Sequence, residues 1–300
     1  MLKIAWSQLY SHPLPEGHRF PMEKYALLPE QLLYEGTVTE NNFFEPDFLD
    51  DKWILTAHDF SYLEKLKTLS LSRKEERKTG FPLSEQLVRR EINILDGSVK
   101  ACEFALEYGI AMNIAGGTHH AYAGHGEGFC LLNDIVVSAN YLQAKGLANK
   151  ILVVDLDVHQ GNGTAVLCQN NPDVFTFSMH GKSNYPMHKE KSDLDIALAD
   201  HTRDEEYLDL LERNIDFILK GFSPDFIIYQ CGVDPLASDK LGRLGLSLQG
   251  IRNRDSLVLN LAKSSGIPIM CCMGGGYSPQ IRDIIEAHAQ VYRLAQDIFF

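Results

Sequence analysis

Residues 151–163 carry the groups best suited to chemistry, because two carboxylates and an imidazole follow an apolar run. The run is typical of a buried strand, and side chains alternate between the two faces of a strand. Asp155, Asp157 and His159 therefore share one face, where burial is costly unless a cation or hydrogen bonds compensate them. Asp157 and His159 suit a divalent metal such as zinc, which would need one more protein ligand and a water molecule. A helix N-cap and a glycine turn would explain the same residues, so this segment alone leaves both interpretations open.

Three other apolar runs also end in polar groups beside glycine. They span 110–115, 226–230 and 267–273, and are followed by His119 and His120, by Asp234, and by Tyr277. Functional groups in parallel α/β sheets gather at the carboxyl ends of the strands. We therefore expect these strand ends, together with that of 151–156, to form one crevice.

Each of these groups has a chemical role and a structural alternative. Asp234 would complete a metal site as its third ligand, although an Asp before proline is more often a turn residue. One of the adjacent His119 and His120 could transfer protons between water and a leaving amine, while the other contributes electrostatically. Ligation of zinc by both is less favoured, because adjacent side chains rarely point the same way. Tyr277 could donate a hydrogen bond to a developing oxyanion or simply pack in its loop.

The elements that must position these groups alternate between strands and helices. Strand-like runs lie at 3–7, 110–115, 151–156, 174–178, 226–230 and 267–273, and helical patterns lie at 21–34, 59–69, 84–108, 131–145, 204–220, 249–264 and 278–297. This alternation predicts a single α/β domain, residues 1–300, with a mostly parallel central sheet and helices on both faces. The charged run at 73–78 is predicted to be a solvated helix end or loop.

Composition limits the classes of protein that the chain can belong to. With 45% hydrophobic residues and a mean hydropathy of −0.16, the chain can build a sizeable core. Its net charge of −12 argues against broad nucleic-acid binding. The six cysteines form no Cys-x-x-Cys pair, so reduced thiols and a cytoplasmic location are expected. The chain begins as a strand without a signal region, and no apolar stretch approaches the roughly 18 residues of a membrane span.

The motifs together resemble the zinc-dependent histone deacetylase and acetoin-utilization family, which has an arginase-like fold. The matching pieces are GGTHH at 116–120, GFCLLND at 128–134, DLDVH at 155–159, GVD at 232–234 and GGGY at 274–277. They occur in the family's order across most of the chain. Each piece alone is modest, but the ordered set is highly specific.

The resemblance implies a zinc site and a set of catalytic groups. The zinc ligands would be Asp157, His159 and Asp234. The catalytic groups would be His119, His120, Tyr277, Asp155 and Asn162. His120 would act as general base and acid, while Tyr277 polarises the scissile amide carbonyl. His119 would hydrogen-bond the attacking water, with Asp155 fixing the orientation of its ring.

The resemblance also implies a substrate tunnel, a product channel and a structural potassium site. Substrate contacts would come from Gly128, Phe129, Tyr185 and Gly275. Among these, Phe129 and Tyr185 would form aromatic walls around an acyl-lysine chain, and the Gly128 carbonyl would accept the substrate amide proton. Arg19 would lie near an internal product channel. The potassium site would comprise Asp155, Asp157, His159, Ser178 and Met179.

Asn162 is a departure from many members of the family, which carry an acidic residue as the partner of His120. An amide accepts the imidazole N–H but carries no charge, so His120 should be less stabilised as an imidazolium. Asn162 is similar to the class IV branch, as are the segments 184–186, 204–214 and 239–245. That branch is associated with removal of long fatty acyl groups as well as acetyl groups from lysine, which leaves the acyl chain length open.

The expected function is zinc-dependent hydrolysis of acyl-lysine in a protein or peptide. An acetylpolyamine amidohydrolase would use the same catalytic groups and is the main alternative. A dinuclear manganese hydrolase of the arginase type would need a second Asp-x-Asp cluster, and around Asp234 only one Asp is in ligand position. A non-catalytic acyl-lysine reader should lack a ligand, the tyrosine or the catalytic histidine, and all of these are present.

Overall fold

The computed structural model describes residues 1–300, and its eight strands form one sheet. The strands are β1 (Lys3–Ala5), β2 (Phe43–Phe44), β3 (Ile110–Asn113), β4 (Ile151–Asp155), β5 (Val174–Gly181), β6 (Leu194–Leu198), β7 (Phe226–Gln230) and β8 (Ile269–Cys272). Their order across the sheet is β2-β1-β3-β8-β7-β4-β5-β6, and every neighbouring pair is parallel. The predicted α/β fold with a parallel sheet is thus confirmed.

Ten α-helices accompany the sheet. They are α1 (Lys24–Tyr34), α2 (Asp51–Ile54), α3 (Phe60–Lys67), α4 (Arg73–Thr79), α5 (Glu85–Tyr108), α6 (Asp134–Ala144), α7 (Asn162–Cys168), α8 (Asp204–Phe222), α9 (Leu248–Ser265) and α10 (Ile281–Phe299). The helices that overlap predicted segments are α1, α3, α5, α6, α8, α9 and α10. No helix has both the length and the apolar character needed to cross a membrane.

Burial explains which strands the sequence reveals. Every residue of β4 and β7 is buried, and strands covered on both faces read as continuous apolar runs. The two strands that sequence analysis missed, β2 and β6, lie at the edges of the sheet. β2 has only two residues, and β6 is mostly half-buried with a carboxylate in its sequence. Neither therefore carries a continuous apolar signal.

The charged run at 73–78 forms a helix of its own, α4, and the predicted loop or helix end is corrected accordingly. The Ser72 hydroxyl accepts the Glu75 N–H, and the Glu75 carboxylate accepts the Ser72 N–H. The helix ends at Gly80, whose φ of +81° suits a left-handed cap. This reciprocal capping stabilises a short helix whose sequence has no apolar face, which is why periodicity did not detect it.

Strand register brings four carboxyl ends into one row. Asn113 of β3 pairs with Cys272 of β8, Cys272 pairs with Gln230 of β7, and Gln230 pairs with Asp155 of β4. The loops that follow these four strands must therefore begin side by side at the same edge of the sheet. These strand ends and loops carry the three predicted zinc ligands together with His119, His120, Asp155 and Tyr277, and Asn162 begins the helix that follows β4.

Candidate active site

Asp157, His159 and Asp234 lie together beyond the ends of β4 and β7, and all three are buried. The ligand atoms that they offer are within 4.8 Å of one another. His159 Nδ1 lies 2.9 Å from Asp157 Oδ1 and 3.1 Å from Asp234 Oδ2. In a tetrahedral zinc site with bonds of about 2.0–2.1 Å, neighbouring ligand atoms are roughly 3.3 Å apart. The predicted ligands therefore have a spacing that suits such an ion.

Each carboxylate has one oxygen anchored by groups outside the cluster, while its other oxygen faces His159. Asp157 Oδ2 accepts hydrogen bonds from the Gly275 N–H at 3.0 Å and from Gln230 Nε2 at 2.9 Å. Asp234 Oδ1 accepts from the Val158 N–H at 2.8 Å, whereas its Oδ2 is buried and makes no hydrogen bond. A buried carboxylate oxygen without a partner is costly, and a bound cation would remove that cost.

Gly275 has no room for a side chain. A Cβ atom there would lie 2.2 Å from Asp234 Oδ2 and 2.7 Å from Asp157 Oδ2. Gly275 also lines the cleft, as a substrate contact requires. Gly275 therefore has a second role: its N–H holds Asp157 Oδ2, and its lack of a side chain leaves room for both ligand carboxylates.

The pKa values of the ligand groups reflect the same crowding of charge. Burial and the neighbouring Asp157 carboxylate raise the pKa of Asp234 to about 7. Burial alone would lower the pKa of His159, but the adjacent Asp157 and Asp234 carboxylates raise it to about 10. The cluster thus favours positive charge at its centre, which is what a divalent cation supplies.

The histidine pair lies beside the metal ligands, and each ring is held through Nδ1 by a different kind of partner. His119 Nδ1 lies 2.6 Å from Asp155 Oδ2, whereas His120 Nδ1 lies 2.6 Å from Asn162 Oδ1. The two ring centroids are 4.1 Å apart, and both residues line the cleft. His119 Nε2 is 3.9 Å from Asp157 Oδ1. The structure therefore brings together both predicted histidine–partner pairs.

These partners separate the acid–base properties of the two rings. Burial lowers the pKa of His119, but the adjacent Asp155 and Asp157 carboxylates outweigh it and raise the pKa above its ordinary value. The pKa of His120 lies well below its ordinary value because the ring is buried and faces the positive charge of His119 and His159. Environments that push two pKa values apart mark out separate roles. His120 is therefore the ring that its surroundings hold neutral.

Two aromatic residues flank a cleft of about 370 Å³ above the metal ligands. The Tyr185 ring lies 5.1 Å from that of His120, at 90° to it. Phe129 lies 5.1 Å from Phe20 and has a φ of +67°, a strained value for a residue with a side chain. Gly128 before it has a φ of +57°, and a Cβ there would lie 2.6 Å from the His120 ring. This loop brings its backbone directly against the proposed base.

Helix α4 holds the Phe129 wall in place. The Gly128 N–H donates to the Lys78 carbonyl at 3.1 Å, and the Phe129 N–H donates to the Thr79 carbonyl at 2.7 Å. A Cβ on Gly80 would lie 2.8 Å from the Phe129 ring. The last carbonyls of α4 therefore fix the strained loop, which gives the charged helix a direct part in shaping the cleft.

Tyr277 also lines this cleft. Its ring lies 6.5 Å from that of His159 and 6.0 Å from that of Phe129. Burial raises the pKa of its phenol far above the ordinary value, so the hydroxyl remains a hydrogen-bond donor. Its backbone N–H donates to Asp239 Oδ2 at 2.6 Å. The predicted oxyanion donor thus lies in the same cleft as the metal ligands and the base.

Residues 18–292 match the histone deacetylase domain family. The chain belongs to the histone deacetylase family. It is 40% identical over 296 residues to an uncharacterized protein of Picosynechococcus sp., with 99% of each chain covered. It is 29% identical to histone deacetylase 2 of Arabidopsis thaliana, covering 87% of this chain and 70% of that protein. It is 27% identical to the acetoin utilization protein AcuC of Staphylococcus aureus, covering 90% and 75%.

Solved structures show the same fold. A histone deacetylase homolog from Aquifex aeolicus has a TM-score of 0.83 at 23% identity, covering 97% of this chain and 82% of that one. The HD domain of HDA15 has a TM-score of 0.81 at 20% identity, covering 96% and 89%. These likenesses establish the histone deacetylase and arginase-like architecture, and the buried Asp–His–Asp cluster is consistent with the zinc site of the family.

Sequence analysis of this deacetylase-family chain missed several residues that support the site. They are Lys24, Glu127, Gln230 and Asp239. Gln230 had a detectable signal, since it is a buried polar residue ending an otherwise apolar strand. Lys24 had none: it lies in an ordinary helix, yet its buried ammonium donates to the Gly274 carbonyl at 3.0 Å. Contacts between residues so distant in the chain emerge only from the folded structure.

Arg19 lies on the exposed side of the cleft. Its guanidinium is 5.0 Å from the centre of the Phe129 ring, and the side chain is exposed. The buried guanidinium that lines the cleft belongs instead to Arg90. The role of Arg19 at an internal product channel therefore stays a prediction that its contacts do not support.

The residues predicted to bind potassium are neighbours in the structure. Asp155 pairs in register with Ser178, and Met179 follows on the same strand, β5. All are buried, as are Asp157 and His159 on the loop after β4. This proximity is compatible with a shared cation site, which stays a prediction.

Proposed function

We propose that this chain is a zinc-dependent amidohydrolase of the class IV type that removes acyl groups from the side-chain amine of lysine. The observation that carries the proposal is that the cluster of Asp157, His159 and Asp234 adjoins the cleft lined by the neutral base His120 and the phenol of Tyr277. A protein that only binds acyl-lysine would need the walls of the cleft, but it would not need candidate metal ligands next to a general base.

Separate residues of the chain have separate roles in the proposed amide hydrolysis. When bound, zinc would polarise the amide carbonyl and lower the pKa of a water molecule. His120 Nε2 accepts the proton of that water and then donates it to the leaving amine. His119, held by Asp155, orients the water and adds positive charge beside it. The Tyr277 hydroxyl donates a hydrogen bond to the carbonyl oxygen as its negative charge grows.

The walls of the cleft fit a lysine side chain extending inward from a peptide. Phe129 and Tyr185 flank the approach to His120. The Gly128 carbonyl beside them accepts a hydrogen bond from Cys130 Sγ at 3.5 Å and has a second lone pair for the substrate amide N–H. The class IV features noted in the sequence support both acetyl and longer fatty acyl groups as the group removed.

The charge of the cleft favours acyl-lysine over acetylpolyamine. Its lining includes the cationic side chains of Arg19, Lys78, Arg90 and Arg243, and Asp157 is the only carboxylate there. Three of these cations are already paired with carboxylates, Lys78 with Glu127, Arg90 with Glu91 and Arg243 with Asp200. The lining therefore offers no free carboxylate to a second or third ammonium group of a polyamine, whereas a peptide lysine, neutral once acylated, needs none.

We further place a structural potassium ion at Asp155, Asp157, His159, Ser178 and Met179, and the protein in the cytoplasm. The potassium assignment rests on the burial and contiguity of those residues. All six cysteines are free and buried, which supports a reducing compartment.

The test is a comparison of kcat/KM on one lysine peptide carrying either an acetyl or a myristoyl group, with bound zinc measured on the same preparation. Turnover of either peptide, lost in the metal-free Asp157→Ala variant, supports the proposal, and their ratio sets the preferred chain length. Acetylspermidine serves as a third substrate. Turnover of acetylspermidine alone would replace the lysine assignment, and peptide binding without turnover would overturn the enzymatic one.

A further inference from the structure

Glu127 is a buried carboxylate next to the site that the proposed reaction does not use directly. It precedes Gly128 in the loop that forms the cleft wall, and its side chain is 6% exposed. Its Oε1 accepts hydrogen bonds from Asn162 Nδ2 and from the Tyr185 hydroxyl, each at 2.7 Å. Its Oε2 lies 2.6 Å from Lys78 Nζ. A buried carboxylate with this many donors needs an explanation.

The explanation lies in the amide of Asn162. Its Oδ1 faces His120 Nδ1 at 2.6 Å, and its Nδ2 donates both to Glu127 and to the Tyr122 hydroxyl, the latter at 3.0 Å. An asparagine amide can rotate by half a turn and exchange its oxygen with its nitrogen. Rotation here would turn Oδ1 towards the Glu127 carboxylate, where two acceptors would stand at hydrogen-bond distance with no hydrogen between them.

We propose that Glu127 is a positioning residue that fixes the Asn162 amide and thereby sets the tautomer of His120. Because Oδ1 must face the ring, His120 Nδ1 must carry the hydrogen, and Nε2 is left with a free lone pair towards the cleft. The opposite amide orientation would put the hydrogen on Nε2, and the base could not accept a proton. The catalytic meaning of this tautomer rests on the proposed function, whereas the tautomer itself does not.

Glu127 also places a negative charge near His120, which the neutral Asn162 side chain does not supply. The carboxylate that many family members place directly on the base histidine stands here one hydrogen bond further out. His119 shows the direct arrangement in the same molecule, since its Nδ1 is bound by the Asp155 carboxylate, which can only accept. The two histidines therefore reach the same tautomer by two routes, and only the route through Asn162 depends on Glu127.

The first test is the tautomer of His120 in zinc-loaded protein labelled with ¹⁵N-histidine, read from its long-range ¹H–¹⁵N couplings. In the wild type, His120 must show the form protonated at Nδ1. In Glu127→Gln, we expect the Gln oxygen to face the Lys78 ammonium and its NH₂ to face Asn162, which turns the amide. The His120 signal should then shift towards the form protonated at Nε2, while that of His119 stays unchanged as an internal control.

The matched variant is Glu190→Gln, which removes a carboxylate from an exposed position that touches Tyr122 but not Asn162. It should leave the His120 signal as in the wild type. A wild-type His120 protonated at Nε2, or an unchanged signal in folded Glu127→Gln, would overturn the proposal. The wild-type measurement needs no variant and no activity, so it tests the positioning role separately from the proposed function.

The second test is a double-mutant cycle on an acyl-lysine peptide. Glu127→Gln should lower kcat by roughly 10-fold or more with KM little changed, because the base is mispositioned. Asn162→Asp alone should also lower kcat, because it sets two carboxylates against each other. The double variant Asn162→Asp with Glu127→Gln should recover much of the loss, since the charge has only moved one hydrogen bond inward. Additive losses in the double variant would contradict the proposal.

Discussion

The carboxylate of Asp239 holds the backbone of Tyr277: its Oδ2 accepts the Tyr277 N–H at 2.6 Å. Its Oδ1 accepts the N–H groups of Leu241 and Gly242 at 2.8 and 2.9 Å. One side chain therefore links the loop after β7 to the loop that carries the phenol. Asp239 thus positions the backbone of Tyr277.

We expect Asp239→Asn to lower kcat by roughly 10-fold with a smaller change in KM. The reason is that an amide cannot accept at both of its terminal atoms, so one of the two loops loses its anchor. Kinetics on an acyl-lysine peptide, with zinc content measured in parallel, provide the check. A variant with normal kcat would show that the loop holds Tyr277 without Asp239.

Tyr277→Phe removes the hydroxyl and leaves the ring that packs beside Phe129 and Phe20. We expect kcat to fall by about 100-fold or more, as for loss of one oxyanion donor. Zinc content and thermal stability should remain close to those of the wild type. Near-normal turnover would contradict the role of the phenol as a donor to the substrate carbonyl.

Asp157→Ala should abolish retention of zinc after dialysis, because it removes one of the three ligands and strands the hydrogen bonds of Gln230 and Gly275. Metal content by atomic emission is the measurement. Asp216→Ala is a suitable control, because that carboxylate is 58% exposed on α8 and pairs with Lys220 rather than with a ligand. Full zinc content in Asp157→Ala would remove it from the ligand set.

Sequence analysis identified the central strands and the candidate metal ligands, but it missed the edge strands and the residues that support the site. Strands such as β4 and β7 are buried on both faces, so an apolar run ending in a polar residue marked both the strand and the functional group after it. The hydrogen bond between Glu127 and Asn162 joins a loop to the start of α7, 35 residues further along the chain. It forms only when both segments are folded, so no local sequence pattern indicates it. The supporting residues of the site were missed for this reason, whereas its ligands were found.

His58 connects the pH dependence of the protein's stability to the loop that carries His119 and His120. Its Nε2 accepts the Asn133 N–H at 2.9 Å, so its Nδ1 must carry the hydrogen that is donated to the Tyr122 carbonyl at 3.0 Å. Asn133 in turn donates from its side chain to the Ala121 carbonyl. Protonation of His58 would place a hydrogen where it now accepts one.

We therefore expect stability to fall between pH 6.5 and pH 4 through this residue. Burial lowers the pKa of His58 from 6.5 to about 4. Over this pH interval, His58 is therefore protonated in the unfolded chain but not in the native state. The free energy of unfolding should decrease by up to roughly 3 kcal/mol, with no contribution above pH 6.5. His58→Asn, which can still donate and accept but does not titrate, should have a correspondingly flatter dependence. Urea unfolding of both proteins across this range is the measurement, and parallel curves would show that His58 does not contribute to the acid sensitivity.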